Sequence, residues 1–491
     1  MRHRRPPFPL LAALLLLGAS ACVHGTLPPP APHGALPTEQ HLRWHAREFY
    51  AFVHFNMNTF TGVEWGHGTE DPKRFHPTAF DADQWCELFA ECGLTGVILT
   101  AKHHDGFCLW PSAFTEHDVQ SSDWRGGEGD VVREVADACA RHGLFFGVYI
   151  SPWDRNNPLY GKDDDAYNDY FAGQLEELLG GYGEIAEVWF DGANGDRDDP
   201  AKHQEYDWQR FHDVVTRLQP DAVTFGPPYA NMPIGVRWVG NEQGFADATQ
   251  WSTYPMGVPE RPAELNTGVE GADRWFPAES DVSIRSGWYW HPDSDDDVKS
   301  VEQLLDIWYR SVGHNTNLLL NFAVDRRGLV HENEAAALRA MTDVLKATFA
   351  HDLAQECTVD ASHVRGDPSN DADRRRYGPG NVNDGDDGTY WSVDDEQRAA
   401  AVSLGFDGPT TFDRVVLREH VPLGQRVRAW NLEALVDGEW RTVFEGTTIG
   451  YRRVARFDAV TADGLRLNIT DSAACPTIST LGVFRSPSGS R

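Results

Sequence analysis

The feature that most constrains the fold is an alternation of short apolar runs with amphipathic stretches between residues 45 and 350. Eight runs have the length and composition of strands, and they lie at 49–57, 96–104, 144–152, 187–194, 221–227, 237–242, 281–290 and 317–325. Helical periodicity marks the stretches between them, at 81–93, 130–142, 166–181, 201–218, 298–313 and 333–349. Continuous apolar strands that alternate with helices indicate a parallel sheet covered on both faces.

Two folds accommodate this pattern. Eight strand–helix units fit a closed (β/α)8-like TIM barrel, and an open doubly wound sheet is the alternative. No glycine-rich phosphate loop follows the first strand, which weakens the alternative. After residue 351 the helical periodicity stops, and segments such as "FDRVVLREH" and "GLRLNIT" alternate apolar and polar residues. We therefore predict a barrel over 45–350 and an all-β sandwich over 352–491.

The N-terminus has the order of a secretory signal peptide. A basic start precedes the apolar run Leu10–Leu17 and then small residues, and the run is too short to span a membrane. Cys22 follows "ASA" as in bacterial lipoprotein signals, although such sites usually carry Leu where Ala19 stands. We expect residues 1–22 to direct export to the periplasm or cell surface, with a lipid anchor at Cys22; ordinary secretion is the alternative. The proline-rich segment 23–44 is predicted as an extended linker.

Charge and cysteine content limit which partners and which metal, redox or disulfide sites this chain is expected to have. The formal net charge is −31, and such a surface repels phosphate backbones, so we expect no nucleic-acid partner. The seven cysteines form no CxxC pair, which leaves a zinc ribbon or redox motif unsupported. Export permits disulfides, and Cys357 and Cys475 are candidates for pairing. The four cysteines between residues 86 and 139 are expected as buried thiols.

Polar side chains stand where the predicted strands end, namely His54, His103, His104, Tyr149, Asp191, Glu242 and Trp288. In barrels the chemistry lies at these C-terminal ends. Asp191 directly follows the apolar "VWF", so its carboxylate either serves as a nucleophile or caps the next turn. Glu242 stands at the end of "RWVGNE". Two carboxylates that flank one glycosidic bond supply a nucleophile and an acid/base.

The other rim residues indicate a sugar rather than a metal. His103 and His104 are adjacent, and neighbouring side chains on a strand point to opposite faces, so we expect them to contact hydroxyl groups instead of sharing one ion. Trp65, with Glu64 beside it in "GVEWG", and Trp288 offer apolar faces. Such a face gains more from the methyl group of a deoxysugar than from a hydroxymethyl group. For each tryptophan alone, a place in the core is the ordinary alternative.

Several motifs together resemble glycoside hydrolase family 29, the retaining α-L-fucosidases. They are "HFNMNTFTGVEWG", "TAKHHDGFCLWPS", "VYISPWDRN", "EVWFDGAN", "RWVGNEQG" and "DVSIRSGWYWH", and they extend over about 45–350. The resemblance implies a (β/α)8-like barrel that hydrolyses terminal α-L-fucose from a fucosylated oligosaccharide or glycoconjugate by double displacement, without a cofactor. The C-terminal region resembles the galactose-binding-like (discoidin-like) sandwich that is often appended in this family.

The same resemblance assigns roles to residues. Asp191, the Asp of "WFDG", matches the nucleophile, and Glu242, in "GNEQG", matches the acid/base of the subfamily selective for α-1,3/1,4 linkages. The positions that match fucose-binding residues are His54, Glu64, Trp65, His103, His104 and Tyr149. Trp288 is the candidate for the wall near the C6 methyl group, and Trp290 is the alternative.

Some questions stay open at the level of sequence. The chain departs from the family at His314, Ser280 and Ser286, none of which is one of the proposed carboxylates. The alternative functions are a catalytically silent fucose-binding lectin and a related α-L-galactosidase. The loop "NVNDGDDGTYW" (381–391) is equally consistent with a structural calcium site and with a solvated acidic turn. For the sandwich, packing on the barrel is favoured over sugar binding.

Overall fold

The computed structural model describes residues 27–195, 203–227, 232, 234–257, 261–367 and 369–487. The predicted signal peptide and Cys22 lie outside these residues. The described chain forms a closed barrel and a C-terminal antiparallel β domain. Within these ranges, no helix combines the length and the apolar character needed to cross a membrane.

Eight parallel strands close the barrel, which confirms the predicted fold class. In chain order the strands are β1 (Phe49–His54), β2 (Gly96–Lys102), β3 (Phe145–Ile150), β4 (Glu187–Phe190), β5 (Val223–Phe225), β6 (Gly235–Trp238), a short hairpin of β7 (Thr253–Tyr254) and β8 (Arg274–Trp275), then β9 (Ala278–Ser283) and β10 (Asn317–Ala323). Around the barrel they run β1-β10-β9-β6-β5-β4-β3-β2. The sixth and seventh barrel strands end earlier than predicted, and the sixth is followed by Gly240 at φ +88°.

Helices cover the outside of the barrel. They are α1 (Glu39–His45), α2 (Met57–Thr61), α3 (Ala82–Cys92), α4 (Val131–His142), α5 (Asp164–Gly181), α6 (Trp208–Leu218), α7 (Pro262–Thr267), α8 (Val301–Arg310), α9 (Glu332–Phe349) and, in the second domain, α10 (Asp371–Tyr377). The prediction of a helix from residue 201 was wrong in its start, because the Asp207 side chain accepts the Arg210 N–H and caps α6 at Trp208. Helices α1, α2, α7 and α10 were not predicted.

The barrel interior is filled by aromatic rings that support the rim. Trp189 stacks on Phe225 with ring centroids 3.9 Å apart and on Tyr149 at 5.2 Å. Its indole N–H donates to buried Glu279 at 2.9 Å. Because side chains alternate along a strand, Trp189 and Asp191, two residues further on, point the same way. The packing of Trp189 therefore fixes the direction in which β4 delivers Asp191.

The second domain is all-β, as predicted. Its strands are β11 (Thr358–Ala361), β12 (Trp391–Ser392), β13 (Ala400–Glu419), β14 (Val427–Val436), β15 (Glu439–Gly446), β16 (Arg453–Ser472) and β17 (Thr477–Phe484). They run β12-β17-β13-β16-β14-β15, and β11 pairs with β13. The register of β13 on β16 shifts after Gly405 and again after Phe412, and such bulges bend long strands.

The cysteines of the described chain are all free thiols. The suggested pairing of Cys357 with Cys475 is therefore wrong. The two side chains have different neighbours, since the Cys357 thiol bonds to the Leu353 carbonyl and the Cys475 sulfur lies against the Arg426 guanidinium. The four cysteines expected as buried thiols are buried: Cys86, Cys92, Cys108 and Cys139.

The described part of the predicted linker is residues 27–44, and the prediction of an extended linker was wrong at its end, because residues 39–44 belong to helix α1. Residues 27–37 pack along the second domain. The Leu27 N–H donates to Asp373 at 3.0 Å, and the His33 N–H donates to the Leu423 carbonyl at 3.0 Å. Thr38 then caps α1 through its side chain. The segment thus crosses the sandwich before it enters the barrel.

Candidate active site

The structure brings the nine predicted site residues to one rim of the barrel, at the C-terminal ends of its strands. His54 ends β1, and Tyr149 lies within β3. His103 and His104 directly follow β2, and Asp191 directly follows β4. The remaining four lie on loops: Glu64 and Trp65 after α2, Glu242 after β6, and Trp288 after β9.

Asp191 is held from two sides. The Tyr149 hydroxyl donates to its Oδ2 at 2.8 Å, and the Ala193 N–H donates to its Oδ1 at 2.7 Å. His104 Nε2 lies 3.9 Å from Oδ2. Asp191 thus caps the next turn, as the structural alternative supposed, and also presents a carboxylate to the barrel mouth with its side chain 23% exposed. Capping the turn and serving as a nucleophile are therefore compatible roles for Asp191.

His54 and His104 present hydrogen-bond acceptors to the pocket. The Asn321 amide donates to Ser283 and to the Trp288 carbonyl, so its oxygen must accept from His54 Nδ1 at 2.7 Å. His104 Nδ1 lies 2.7 Å from the Ser151 hydroxyl, which donates onward to a carbonyl. Burial lowers the pKa of His54 to about 3 and also lowers that of His104. Both rings are neutral, and each leaves Nε2 as an acceptor for a hydroxyl group.

His103 presents a hydrogen-bond donor to the pocket instead of an acceptor. The Asn58 amide, which also donates to the Glu64 carbonyl, lies 3.5 Å from His103 Nδ1. This contact makes Nδ1 the acceptor and leaves an N–H at Nε2. Burial, with His104 and His54 nearby, lowers the pKa of His103 well below its ordinary value. The three imidazoles therefore offer two acceptors and one donor, a pattern suited to neutral hydroxyl groups.

Glu64 organises the loop that carries Trp288. Its Oε2 accepts the Trp288 backbone N–H at 2.9 Å, and its Oε1 lies 2.9 Å from His291 Nε2. The Trp288 ring lies 5.0 Å from the His54 ring. By contrast, the Trp290 indole N–H is bonded to Asp295. The geometry favours Trp288 over Trp290 as the aromatic wall of the pocket.

Trp65 forms an exposed edge of the site. It is 55% exposed, an unusual fraction for such a large apolar side chain. Its ring meets His104 edge-on at 5.9 Å and Trp153 edge-on at 5.7 Å. A flat apolar surface therefore stands open beside the histidines, where a sugar ring can pack against it.

Glu242 lies on a loop rather than at a strand end, because β6 stops at Trp238. The Trp288 indole hydrogen-bonds to its carboxyl group. Partial burial raises the pKa of Glu242, and the nearby Asp191 and Glu64 carboxylates raise it further. A carboxyl group with a raised pKa beside a second carboxylate is the arrangement that acid/base catalysis of glycoside cleavage needs.

Sequence reasoning missed the residues that orient this site, namely Asn58, Ser151, Trp153, Ser283, His291 and Asn321. Asn321 and His54 are 267 positions apart, and their contact arises only because β10 pairs with β1 in the closed barrel. The sequence signal that could have indicated this contact is Asn321 itself, a polar residue within the mostly apolar strand "NLLLNF". Ser151 and Trp153 stand in "VYISPW", directly after β3.

Within the described ranges, no group of three or more His, Cys, Asp and Glu side chains is placed to hold an ion. In the acidic loop 381–391, the carboxylates accept local hydrogen bonds instead: Asp384 from Asp386 N–H and Thr389, and Asp386 from Gly388 N–H. These contacts are those of a tight acidic turn.

Comparison with known proteins identifies both domains. The α-L-fucosidase family matches residues 34–348, and the F5/8 type C domain family matches residues 361–480. Alpha-L-fucosidase 1 of Arabidopsis thaliana is 40% identical over 465 residues, which cover 93% of this chain and 89% of the plant protein.

Solved structures are similar to this chain over almost its whole length. A glycoside hydrolase 29 fucosidase of Ruminococcus gnavus, crystallised in complex with fucose, superposes with a TM-score of 0.86 at 32% identity, covering 95% of this chain and 98% of that one. A glycoside hydrolase 29 family member from a rumen bacterium gives a TM-score of 0.80 at 38% identity, covering 93% and 78%. The similarity thus includes the barrel and the β domain together.

Proposed function

Since the chain belongs to the α-L-fucosidase family, glycoside hydrolase family 29, we propose that it is a retaining exo-α-L-fucosidase selective for α-1,3- or α-1,4-linked fucose. The glycoside hydrolase activity itself is supported by the family match and by the relatives. None of the comparisons favours a silent lectin or an α-L-galactosidase. The linkage preference rests on the "GNEQG" motif around Glu242.

In this mechanism Asp191 attacks the anomeric carbon of the fucosyl group, and the carboxyl group of Glu242 donates its proton to the leaving oxygen. The Glu242 carboxylate then takes a proton from water, which attacks the fucosyl-enzyme and releases fucose with retained configuration. The observation that carries the proposal is that the two carboxyl groups have different surroundings. Asp191 accepts a hydroxyl and an amide donor, whereas burial and the Asp191 charge raise the pKa of Glu242.

The rim residues bind the fucosyl group. His54 and His104 accept from its hydroxyl groups, His103 donates, and Trp288 packs against the C6 methyl group. Glu64 acts through the Trp288 loop, and Trp65 forms the exposed edge of the fucose pocket beside His104. No cofactor takes part in these steps. A structural calcium ion in the loop 381–391 stays a prediction, which metal analysis of dialysed protein tests.

The proposal is tested by fucose release from a branched trisaccharide with α-1,3- or α-1,4-linked fucose, beside an aryl fucoside. We expect release chiefly from the trisaccharide, with the α-anomer as the first product in a proton NMR time course. An initial β-anomer would contradict retention. Equal rates on both substrates would contradict the linkage preference.

Two substitutions separate the roles of the acids. Asp191→Ala is expected to abolish turnover in a protein that remains folded by circular dichroism. Glu242→Ala is expected to lose the trisaccharide activity. Azide, a small nucleophile that needs no general base, is expected to restore turnover of the aryl fucoside, whose activated leaving group needs no proton. Substantial activity of folded Asp191→Ala would remove this residue from the nucleophile role, and absence of azide rescue would place the acid/base elsewhere.

We further propose export and a lipid anchor at Cys22, which place the enzyme in the periplasm or on the cell surface. The N-terminal signal sequence supports this location. Mass spectrometry of the membrane fraction tests it, because a diacylglyceryl modification on Cys22 is expected there. An unmodified chain cleaved elsewhere and found in the medium would support ordinary secretion.

A further inference from the structure

Strand β9 carries polar side chains on the face that points into the barrel. Glu279, Asp281 and Ser283 alternate along this strand and therefore share one face. All three side chains are buried. Burying a polar group is costly unless it is hydrogen-bonded, so the partner of each side chain indicates what it contributes to the fold or to the site.

The first and the last of these side chains support parts of the site described above. Glu279 accepts the Trp189 indole N–H at 2.9 Å, and Trp189 precedes the candidate nucleophile Asp191 by two positions. Ser283 accepts the Asn321 amide at 3.0 Å, and that amide also orients a rim histidine. The two ends of this face thus serve the nucleophile and the fucose pocket.

Asp281, between them, is bonded to the strand from which the Glu242 loop begins. Its Oδ1 accepts the Trp238 indole N–H at 2.8 Å. Trp238 is the last residue of β6, and Glu242 follows four positions later. The Trp238 ring packs against the barrel interior and against a small cluster that includes Tyr254 and Phe276. The bond from Asp281 therefore fixes the last residue of β6, and with it the direction in which the loop begins.

The carboxyl group of Asp281 also interacts with the charge of Glu242. Burial, with the Glu242 carboxylate nearby, raises the pKa of Asp281 well above its usual range, although the bond from Trp238 acts to lower it. The shift favours a neutral carboxyl group, which accepts the indole N–H without adding a third negative charge beside Asp191 and Glu242. Asparagine has nearly the same shape and the same acceptor oxygen, so it is the conservative replacement.

We propose that Asp281 is a positioning residue for the acid/base: through Trp238 it holds the start of the Glu242 loop. Glu279 supports the nucleophile in the same way through Trp189, so that one strand serves the two acids separately. The proposal deepens the proposed function and rests on it, because it takes the two carboxyl groups in the roles given above. Asp281 itself takes part in no bond-making step.

Two substrates separate the roles of the acids. The branched trisaccharide needs both of them, whereas α-L-fucosyl fluoride releases fluoride in its first turnover without a general acid and so needs the nucleophile alone. Trp238→Phe and Trp189→Phe each delete one indole N–H that donates to a carboxyl group of β9, and each retains an aromatic ring. Trp110→Phe is the matched control, since its indole donates to Glu177 on helix α5 at 3.0 Å.

We expect Trp238→Phe and Asp281→Leu each to lower kcat for the trisaccharide about tenfold. The rate and amplitude of the fluoride burst, measured by stopped flow, should stay within about twofold of the unaltered protein in both. Asp281→Asn should retain trisaccharide turnover to within about twofold, because it keeps the acceptor. Trp189→Phe should lower both the trisaccharide turnover and the burst, and Trp110→Phe should lower neither.

Circular dichroism establishes that each variant is folded. If Asp281→Leu fails to fold, Trp238→Phe tests the same bond from its other side. Equal losses of trisaccharide turnover and fluoride burst in Trp238→Phe, or no loss of either, would overturn the positioning role. An Asp281→Asn variant impaired as strongly as Trp238→Phe would also overturn it. Absence of a fluoride burst in the unaltered protein would instead overturn the proposed function.

Discussion

Tyr149 connects the barrel interior to the candidate nucleophile. Its ring is stacked with His103 at 5.6 Å and with Trp189 at 5.2 Å, and its hydroxyl donates to Asp191 at 2.8 Å. Because packing on both sides holds the ring, the hydroxyl points at the carboxylate without help from a substrate. A donor fixed in advance orients a charged group with little reorganisation during the reaction.

Tyr149→Phe removes this donor and retains the ring. Hydrogen bonds to charged groups contribute about 1.5–3 kcal/mol, so we expect kcat for the trisaccharide to fall roughly 10- to 100-fold. KM should change little, because the hydroxyl is bonded to Asp191 rather than directed at fucose. Steady-state kinetics measure both parameters.

Tyr182→Phe is the matched control, since its hydroxyl donates to the Asp130 carboxylate on the outside of the barrel at 3.0 Å. It should retain full kcat. If Tyr149→Phe also retained full kcat, the hydroxyl would not position Asp191 for attack.

The loop after β6 is built to hold Glu242 in place. The Asn241 side-chain amide donates to the Phe245 carbonyl at 2.8 Å, and its oxygen accepts the Gln243 N–H at 3.0 Å. Gly244 has φ +73°, and a Cβ there would come within 3.0 Å of Val282 and Ile307. Glycine is therefore required at this close approach.

Asn241→Ala removes the bonds that span the loop. We expect turnover of the trisaccharide to fall about tenfold, the effect of roughly 1.4 kcal/mol, because Glu242 is less well placed to protonate the leaving oxygen. Fluoride release from α-L-fucosyl fluoride in the first turnover should be preserved, since that step needs no general acid. Stopped-flow measurement of the fluoride burst separates the two effects.

Asn241→Asp retains the oxygen acceptor and should recover part of the lost rate. Equal losses of trisaccharide turnover and of the fluoride burst would show that Asn241 supports the whole site rather than the acid/base loop.

The elements that sequence predicted well are those fixed by local pattern. Runs such as "GVILTAK" are mostly apolar and buried throughout, because helices and barrel interior cover both faces of β2. The β6 loop was mistaken for a strand end, because "RWVGNE" continues the apolar run and only Gly240 marks the break. Local pattern also placed Asp191 and the rim histidines, but their orienting partners depend on strand pairing across the closed barrel.

At the scale of the whole molecule, the second domain packs against the helices that surround the barrel. Its Val416 and Val454 belong to the apolar core that the barrel helices form. It also fixes the segment that follows the Glu242 loop: Thr448 accepts the Gln250 N–H at 2.8 Å, and Arg453 donates to the Ala248 carbonyl at 2.9 Å. These contacts agree with packing as one role of the sandwich.

His314, a departure from the family pattern, has a place in this junction. Its Nδ1 donates to the Ala246 carbonyl at 2.9 Å, and its backbone bridges to Arg453 of the second domain. Burial, with Arg453 nearby, lowers the pKa of His314 to about 3, so the ring is neutral. No local pattern indicated this role, because both partners come from distant parts of the chain.

Glu48, directly before β1, gives the strongest test of this junction. Its carboxylate accepts from Arg418 at 2.7 Å and also from Arg452, both in the second domain. Burial acts to raise the pKa of Glu48, but the two guanidinium groups outweigh it and hold the pKa below the ordinary 4.5. The ion pair therefore contributes stability above pH 4.5, and this contribution is lost as the pH falls through the lowered pKa.

Glu48→Gln should lower Tm by several degrees at pH 7. The substitution leaves the mostly buried guanidinium groups of Arg418 and Arg452 without the carboxylate that pairs with them. The loss of stability should lie somewhat below the about 3–5 kcal/mol typical of fully buried pairs. The difference from the unaltered protein should shrink as the pH falls below 4.5 and through the lowered pKa of Glu48, where Glu48 itself becomes neutral. Glu91→Gln, which breaks the exposed pair with Arg339, should leave Tm nearly unchanged at every pH. A Glu48→Gln deficit that stays constant down to pH 3 would show that Glu48 stabilises the junction by shape rather than by charge.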